Sequence, residues 1–428
     1  MILLAPTTAR ARWTLSAAAA GVLALVAVGL SLRDGRRAEA LAVEARRVVA
    51  ARDWPGVEAK VQAWLDARPR SAEAHYLCAR VLLATGRPQP ALAELERSLE
   101  LGYPPAGPVA LRAAMQVLAD TSKYASNEST LTRFLASTDE PQPEVAEALT
   151  AVYLGSFRLR EARAAIDRWA RDDPFSPGPH LARNKVDERS DAPASNLVRN
   201  DREALRRDPR LLTSRLALAE HLRAAHRPDE AADTFDGYIA LRPADPAGLV
   251  GAGQNAMERG RLADASAYFD RALAADPRDP VALKERANLD LRAGRHTQAR
   301  DRFAAVVALD PFDPDTRYGY AQTLKALKLP ELARAQDEAF QRLKAEHARM
   351  VQIRSALVRD PKDAPLRLEA ARWLIDHGHD EGAEWAKQLL GDRPADVGAL
   401  TLLAEYYERK GDFARANYYR LALPKAPK

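Results

Sequence analysis

From Leu212 to Glu346 the apolar positions follow a helical rhythm that is broken and resumed at regular intervals. Leu249, Ala252, Gly253 and Ala256 recur at i, i+3, i+4 and i+7, the stripe of one helix face, until Gly260 interrupts the run. Ala265, Tyr268, Phe269, Ala272 and Leu273 then resume it. This pattern predicts a helix, a turn and a second helix.

The hairpin is repeated. Ala231, Ala265, Ala299 and Ala333 are spaced by 34 residues, as are Ala219, Gly253, Ala287 and Ala321. The same spacing holds for Phe235, Phe269 and Phe303, and for Pro243, Pro277 and Pro311. A period of this length predicts a solenoid, in which no unit can bury its apolar face without a neighbour. Closely packed helix axes lie about 8 to 10 Å apart, so small residues are expected at the crossings, Gly253 against Ala265 and Ala287 against Ala299. Phe269 and Phe303 are expected to fill the wider space beyond. Pro277 and Pro311 cannot continue a helix and bias Asp276 and Asp310 away from helical dihedrals, which ends each second helix at the same point.

These residues resemble the tetratricopeptide repeat. Its pattern is a small residue in the middle of the first helix, Gly at the turn, Ala and an aromatic in the second helix, and a closing Pro. Residues 246–279 and 280–313 match nearly all of it, with Leu249 and Leu283 where the signature Trp would stand. The resemblance implies an all-α fold, a right-handed α-solenoid of helix hairpins. It also implies that a protein or peptide partner lies in a concave groove lined by the first helix of each pair.

The rest of the chain divides around this array. Residues 38–186 read as irregular repeats of the same kind, beginning with a divergent hairpin that turns at Arg52-Asp53. Within them Thr121 to Thr130 is polar and is expected as a long turn. Asp187 to Asn196 has no apolar face and is expected as a joint before the regular array, residues 197–428. Glu331 to Asp360 contains neither Gly nor Pro and keeps apolar residues at Leu343, Met350, Ile353 and Leu357. It predicts one helix of roughly 45 Å, the alternative being two helices with a tight turn near Glu346-His347. Two further hairpins follow, marked by Ala371, Gly378 and Ala383, then Ala404, Gly411 and Ala416.

Ahead of the repeats, residues 1–12 form a short tail and Trp13 to Leu32 is a run of 20 residues without a charge. At 1.5 Å per residue it spans roughly 30 Å, one hydrocarbon core, and predicts an uncleaved transmembrane helix. The rival reading is a cleaved signal peptide with Ala38-Glu39-Ala40 as its cleavage triplet, which would leave a soluble exported protein. Five Lys or Arg residues in the fifteen that follow the run favour a cytoplasmic repeat domain. The short N-terminal tail, with two arginines and no acid, favours export, and the reading taken is a single-pass protein of the bacterial inner membrane with periplasmic repeats.

Charge changes this picture little. Lys and Arg number 64 against 59 acids, interspersed throughout, and the net charge of +5 describes a solvated surface rather than a nucleic-acid footprint. Glu220, Glu258, Glu285, Asp376, Glu405 and Glu408 interrupt any basic stripe along the first helices, so no nucleic acid is expected. The single cysteine, Cys78, falls on an apolar helix stripe and reads as a small buried hydrophobe.

No catalytic frame is present. The sequence has no phosphate-cradling glycine loop, nucleophile elbow or zinc-protease His and Glu spacing, so neither an enzyme, a cofactor nor a small-molecule substrate is expected. His377, His379 and Asp380 cluster around Gly378, where polar turn residues are expected anyway, and they do not make a metal site. The partner-binding candidates are the exposed positions of the first helices: Gln254, Met257 and Glu258, then Lys284, Asn288 and Arg292, then Tyr318, Gln322 and Lys325. Lys284 and Asn288 also resemble the first element of the carboxylate clamp of certain tetratricopeptide co-chaperones. The second element is missing, because Gly319 stands where the clamp would place an Asn.

Overall fold

The computed structural model describes residues 36–49 and 54–424. The expected tail 1–12, the expected membrane span 13–32 and the turn at Arg52-Asp53 lie outside these. Among the described residues no helix is long and apolar enough to cross a membrane.

The chain is a succession of helices. Helix α1 covers 36–49, followed by α2 (Trp54–Ala67), α3 (Ala72–Ala84), α4 (Pro88–Glu100), α5 (Ala106–Ala119), a 3-10 turn at Thr121–Lys123, and α6 (Tyr124–Ala136). Next come α7 (Pro143–Gly155), α8 (Leu159–Asp172), α9 (Gly178–Arg189) and α10 (Ala194–Arg207). The regular array comprises α11 (Leu212–Ala224), α12 (Pro228–Leu241), α13 (Pro246–Glu258), α14 (Leu262–Ala275), α15 (Pro280–Arg292), α16 (His296–Leu309), α17 (Pro314–Ala326) and α18 (Pro330–Arg359). The chain closes with α19 (Ala364–Asp376), α20 (Glu381–Asp392), α21 (Val397–Arg409) and α22 (Phe413–Leu421).

Two compact units are present among the described residues, 36–49 and 54–115 with 133–144, and 116–132 with 145–424. In the first, Val57, Val61, Trp64, Leu77, Val81, Leu95 and Leu111 form a continuous core. Arg80 is buried in this unit and is not left alone there. It reaches the Glu144 carboxylate at 3.0 Å and donates to the Pro141 carbonyl at 3.1 Å, which holds the 137–144 segment on α3.

The second unit contains the regular array, and its helix ends follow from local chemistry. Asp245, Asp279 and Asp313 each precede a Pro at the first helical position, and each accepts a backbone N–H of the first turn with its side chain. That pairing satisfies an orphan donor and presets the backbone for a helix. At the other end Asp276 and Asp310 have extended dihedrals (φ −134° and −132°), so α14 and α16 stop where the following prolines require.

The small residues are there for a different reason than helix crossing alone. A Cβ on Gly253 would come within 2.5 Å of the Phe269 ring, and one on Gly319 within 2.6 Å of the Phe303 ring. The phenylalanines therefore do not occupy wider space beyond the crossing; they lie on the glycines, fully buried. Ala265, Ala287 and Ala299 are fully buried as expected of crossing positions.

Three polar stretches fold in ways that hydropathy alone does not anticipate. Thr121–Thr130 is not a long turn: α6 begins at Tyr124, and the Ser126 and Asn127 side chains bond back to the Lys123 carbonyl of the preceding turn at 3.1 and 3.0 Å. Asp187–Asn196 is not a joint: it closes α9, turns over residues 190–193 and opens α10. The α9–α10 hairpin buries polar pairs instead of apolar ones, Asn184 with Asp201 at 2.7 Å and Asn200 with Asp187 at 3.0 Å. His377 is not an exposed turn residue either. It stacks on Trp373 with ring centroids 4.1 Å apart and bonds Glu346 at 3.1 Å.

Glu346 belongs to α18, a single unbroken helix of 30 residues where α14 and α16 have 14. Its first half lies along α17, with Gln336 bonded to Arg317 and Phe340 against Tyr318. The second half carries α19, through Arg349 with Glu369 at 2.8 Å and His347 against Trp373. Helix α19 runs back along it and ends against the α16–α17 loop, where His377 meets Phe312 at 4.6 Å.

Candidate functional site

The first helices α11, α13, α15 and α17 present one face of the array, and its polar side chains connect from repeat to repeat. Arg223 of α11 bonds Glu220 at 2.8 Å and reaches Glu258 of α13 at 2.6 Å. Gln254 of α13 donates to Glu285 of α15 at 3.0 Å, and Asn288 donates to the other oxygen of the same carboxylate at 3.2 Å. Lys284 of α15 reaches Asp313 at 2.9 Å. Each link spans about one repeat, so the face is cross-tied along the array axis.

Electrostatics agree with the geometry at the Lys284 and Asp313 pair. Burial disfavours the Lys284 charge, yet the Asp313 hydrogen bond and charge outweigh it and hold the ammonium above its ordinary value. For Asp313 burial pushes upward, while hydrogen bonds from Thr316 and Lys284 hold the carboxyl below the usual range. Asp313 is also the cap of α17. One carboxylate thus starts a helix and anchors the preceding repeat.

The candidate residues consequently fall into two groups. Gln254, Lys284 and Asn288 are half-buried and already bonded to neighbours, and Met257 packs on the apolar core of the array. Arg292 is exposed. Tyr318 is half exposed and tilts against Phe340 of α18 at 5.4 Å, with Lys344 over the Phe340 ring at 5.7 Å. Gln322 is half-buried one turn further on, and Lys325 is exposed and paired with Asp337 of α18 at 2.8 Å. The structure brings Tyr318 and Lys325 together with α18. It does not bring Lys284 and Asn288 to a common ligand: each is turned to a different carboxylate.

Sequence periodicity missed Phe340 and Lys344, which belong to a second helix and would ordinarily face away from this surface. They reach it because Tyr318 stands at the α17 and α18 contact. Among the described residues no group of three or more His, Cys, Asp or Glu side chains is placed to hold a metal ion.

With the repeats and their ties described, comparison with known proteins bears on the family. Residues 216–280 and 256–323 match models described as tetratricopeptide repeat. Residues 216–323 are tetratricopeptide repeats. Solved structures similar to this chain include PilW, titled a widely conserved type IV pilus biogenesis factor, at 23% identity over 46% of this chain and 92% of that one, TM-score 0.41. Pseudomonas aeruginosa PilF is similar at 18% identity over 48% of this chain and 97% of its own, TM-score 0.40. A human IFIT1 dimer with PPP-AAAA is similar at 17% identity over 86% and 93%, TM-score 0.36. Superpositions this loose say nothing of partners or activity. No curated protein matches the chain.

Proposed function

We propose that the chain is a non-enzymatic interaction scaffold, held at the bacterial inner membrane by residues 13–32, that binds a protein or peptide partner on the first-helix face of its repeats. Tetratricopeptide repeats generally mediate protein–protein contacts. The observation that carries the reading here is the half-exposed Tyr318 with Phe340 and Lys344 beside it. A rigid aromatic backed by a second ring offers large contact area at low entropic cost, the kind of group on which binding energy concentrates. The cross-tied residues from Arg223 to Asp313 keep the face in shape on either side of it. Its chemistry suits a protein partner rather than a nucleic acid, and the repeats are proposed to face the periplasm.

The test is purification of a C-terminally tagged chain from membranes, with wild type and Tyr318→Ala compared. Loss of a co-eluting partner in Tyr318→Ala, with its thermal midpoint kept, is expected; equal recovery in both would overturn the site. Alkaline carbonate should leave the full-length chain in the pellet with residues 13–32 intact by mass. A soluble form beginning near Leu41 would replace the anchor with signal cleavage.

A further inference from the structure

Phe157 occupies the turn between α7 and α8 with φ +58°. Glycine holds the corresponding position at Gly86, Gly260, Gly294, Gly378 and Gly411 with φ between +73° and +82°, and Asp191, His226 and Lys328 hold it with φ between +49° and +59°; Phe157 is the aromatic among them. A bulky residue in the left-handed region is strained, by about 1 to 3 kcal/mol for such outliers, and persists where its surroundings require it. What surrounds Phe157 is Trp385 of α20, whose ring meets it edge-on at 4.7 Å, and Arg189, whose guanidinium lies over it at 4.9 Å. Both rings are nearly fully buried, at 6% and 7% exposure. Within the second unit, therefore, a helix more than 220 residues further along the chain closes onto α7 and α9.

The closure has the form of a helix laid in a groove. The side chains of α20 that face α7 and α9 are Glu381, Glu384, Trp385 and Gln388. Thr121 donates to Glu384, Glu381 lies near enough to Arg189 to stabilise its charge, and Gly155 leaves room first for the Tyr124 ring and then for the Gln388 amide, which a Cβ would meet at 3.1 Å. Lys185 and Arg189 supply the positive side of the groove and the two glutamates the negative side. The fit is incomplete. A cavity of about 480 Å³ remains beside α20, bordered by Leu118, Glu147, Thr150, Leu154, Leu181 and Lys185. The apolar part of its lining is left to water, so a longer or bulkier helix that covered it would gain burial that α20 forgoes.

We infer that the first-helix face of α7 and α9 is a helix-binding groove kept shut by the chain's own α20, and that its external partner is an amphipathic helix carrying glutamates and an aromatic anchor on one face. This rests on the scaffold reading but places a second binding site on other repeats, at α7 and α9 rather than at α17 and α18. The strained Phe157 acts as the latch, since its ring is the surface on which Trp385 sits. A partner helix binds by displacing α20 and relieving the competition, which couples occupancy of the groove to release of the last hairpins.

The experiment uses the full chain with Cys78→Ala as background. A Cβ on Gly391 would stand 3.6 Å from that of Ala125, within the spacing a disulfide takes. Ala125→Cys with Gly391→Cys should therefore oxidise to an intramolecular bond. The probe is a fluorescein-labelled peptide of residues 379–393, bound to the reduced chain and excluded by the oxidised one. Trp385→Ala, which removes the anchor from the chain's own α20 but not from the peptide, should raise peptide affinity at least tenfold, and adding Arg189→Glu to that variant should reduce it again at least tenfold. Failure of the disulfide to form, or equal binding by oxidised and reduced chains, would overturn the inference. Closure without peptide binding to any variant would also overturn it, while leaving the scaffold reading at Tyr318 untouched.

Discussion

Lys284 of α15 reaches forward to Asp313, 2.9 Å away, and Asp313 is at the same time the residue that caps α17. The pair makes the start of one repeat depend on a side chain from the repeat before it. Both side chains are about four-fifths buried, so the bond is little screened. Lys284→Ala should cost about 1.5 to 3 kcal/mol, the range for a hydrogen bond to a charged group. Chemical denaturation of the two chains measures it; an unchanged midpoint would mean that the cap holds without its neighbour.

Packing at the glycines gives a sharper expectation. Gly253→Ala should push the new methyl into the Phe269 ring and cost about 1 to 3 kcal/mol by overpacking. Phe269→Leu in the same chain should recover part of that cost, because the residues are in contact and their effects do not add. A double-mutant cycle on thermal unfolding with purely additive effects would show that the ring does not press on Gly253.

Ala265→Leu probes the crossing itself. Ala265 is fully buried, and the larger side chain should cost about 1 to 3 kcal/mol. Since each repeat touches chiefly its neighbours, hydrogen exchange should quicken in α13 to α15 and stay unchanged in α2 to α4. Uniform quickening along the chain would argue against a local, repeat-by-repeat response.

Helix α18 is open to a backbone test. Ala348→Pro removes an internal hydrogen bond and sets a ring against the preceding turn, at a cost of about 3 kcal/mol or more in an unbroken helix. The loss should appear as a lower melting temperature by circular dichroism, with the α19 contacts at Glu346, His347 and Arg349 released first. A neutral outcome would place a turn where the structure has helix.

Two histidines give opposite pH dependences. His221 is disfavoured as a cation by burial, but its bond to Asp201 at 2.6 Å prevails and raises it above 6.5. Its contribution is full below the unfolded value and is lost as the pH rises through the folded one. His180 is pushed down to about 4, first by burial and then by Arg207 and Arg183. It folds neutral, so its contribution is full above 6.5 and is lost as the pH falls from there toward 4. His221→Gln should flatten the alkaline fall in stability and His180→Gln the acid one, as read from urea midpoints between pH 4 and 9.

Much of this architecture was legible in the residues. The 34-residue spacing of Ala231, Ala265 and Ala299 marks the hairpins, and the stretch from Glu331 to Asp360 without Gly or Pro is one helix in the structure. Periodicity records which face of a helix is apolar, and that suffices for such features. It does not record which polar group another polar group will reach. Lys284 and Asn288 look equivalent on a helical wheel, yet one turns to the Asp313 cap and the other to Glu285. Nor does it foresee a polar helix such as α6, whose apolar demand is met by few residues. The Phe157 contact with Trp385 is a pairing across more than 220 positions; its local sign is a Phe at a turn position that the other hairpins fill with Gly, Asp, His or Lys.

The added length of α18 has a consequence in angular terms. Sixteen residues beyond the usual 14 advance the helix by about 24 Å and rotate its outgoing face by about 160°, since each residue turns about 100°. Advance and rotation are coupled, so the length of this one helix sets both where α19 leaves and which way it faces. Deleting seven residues from its middle would draw the last hairpins in by about 10 Å with almost the same heading. Deleting five would turn them by about 140°, away from Phe157, and a change in chain length that small would decide whether α20 can return to α7 at all.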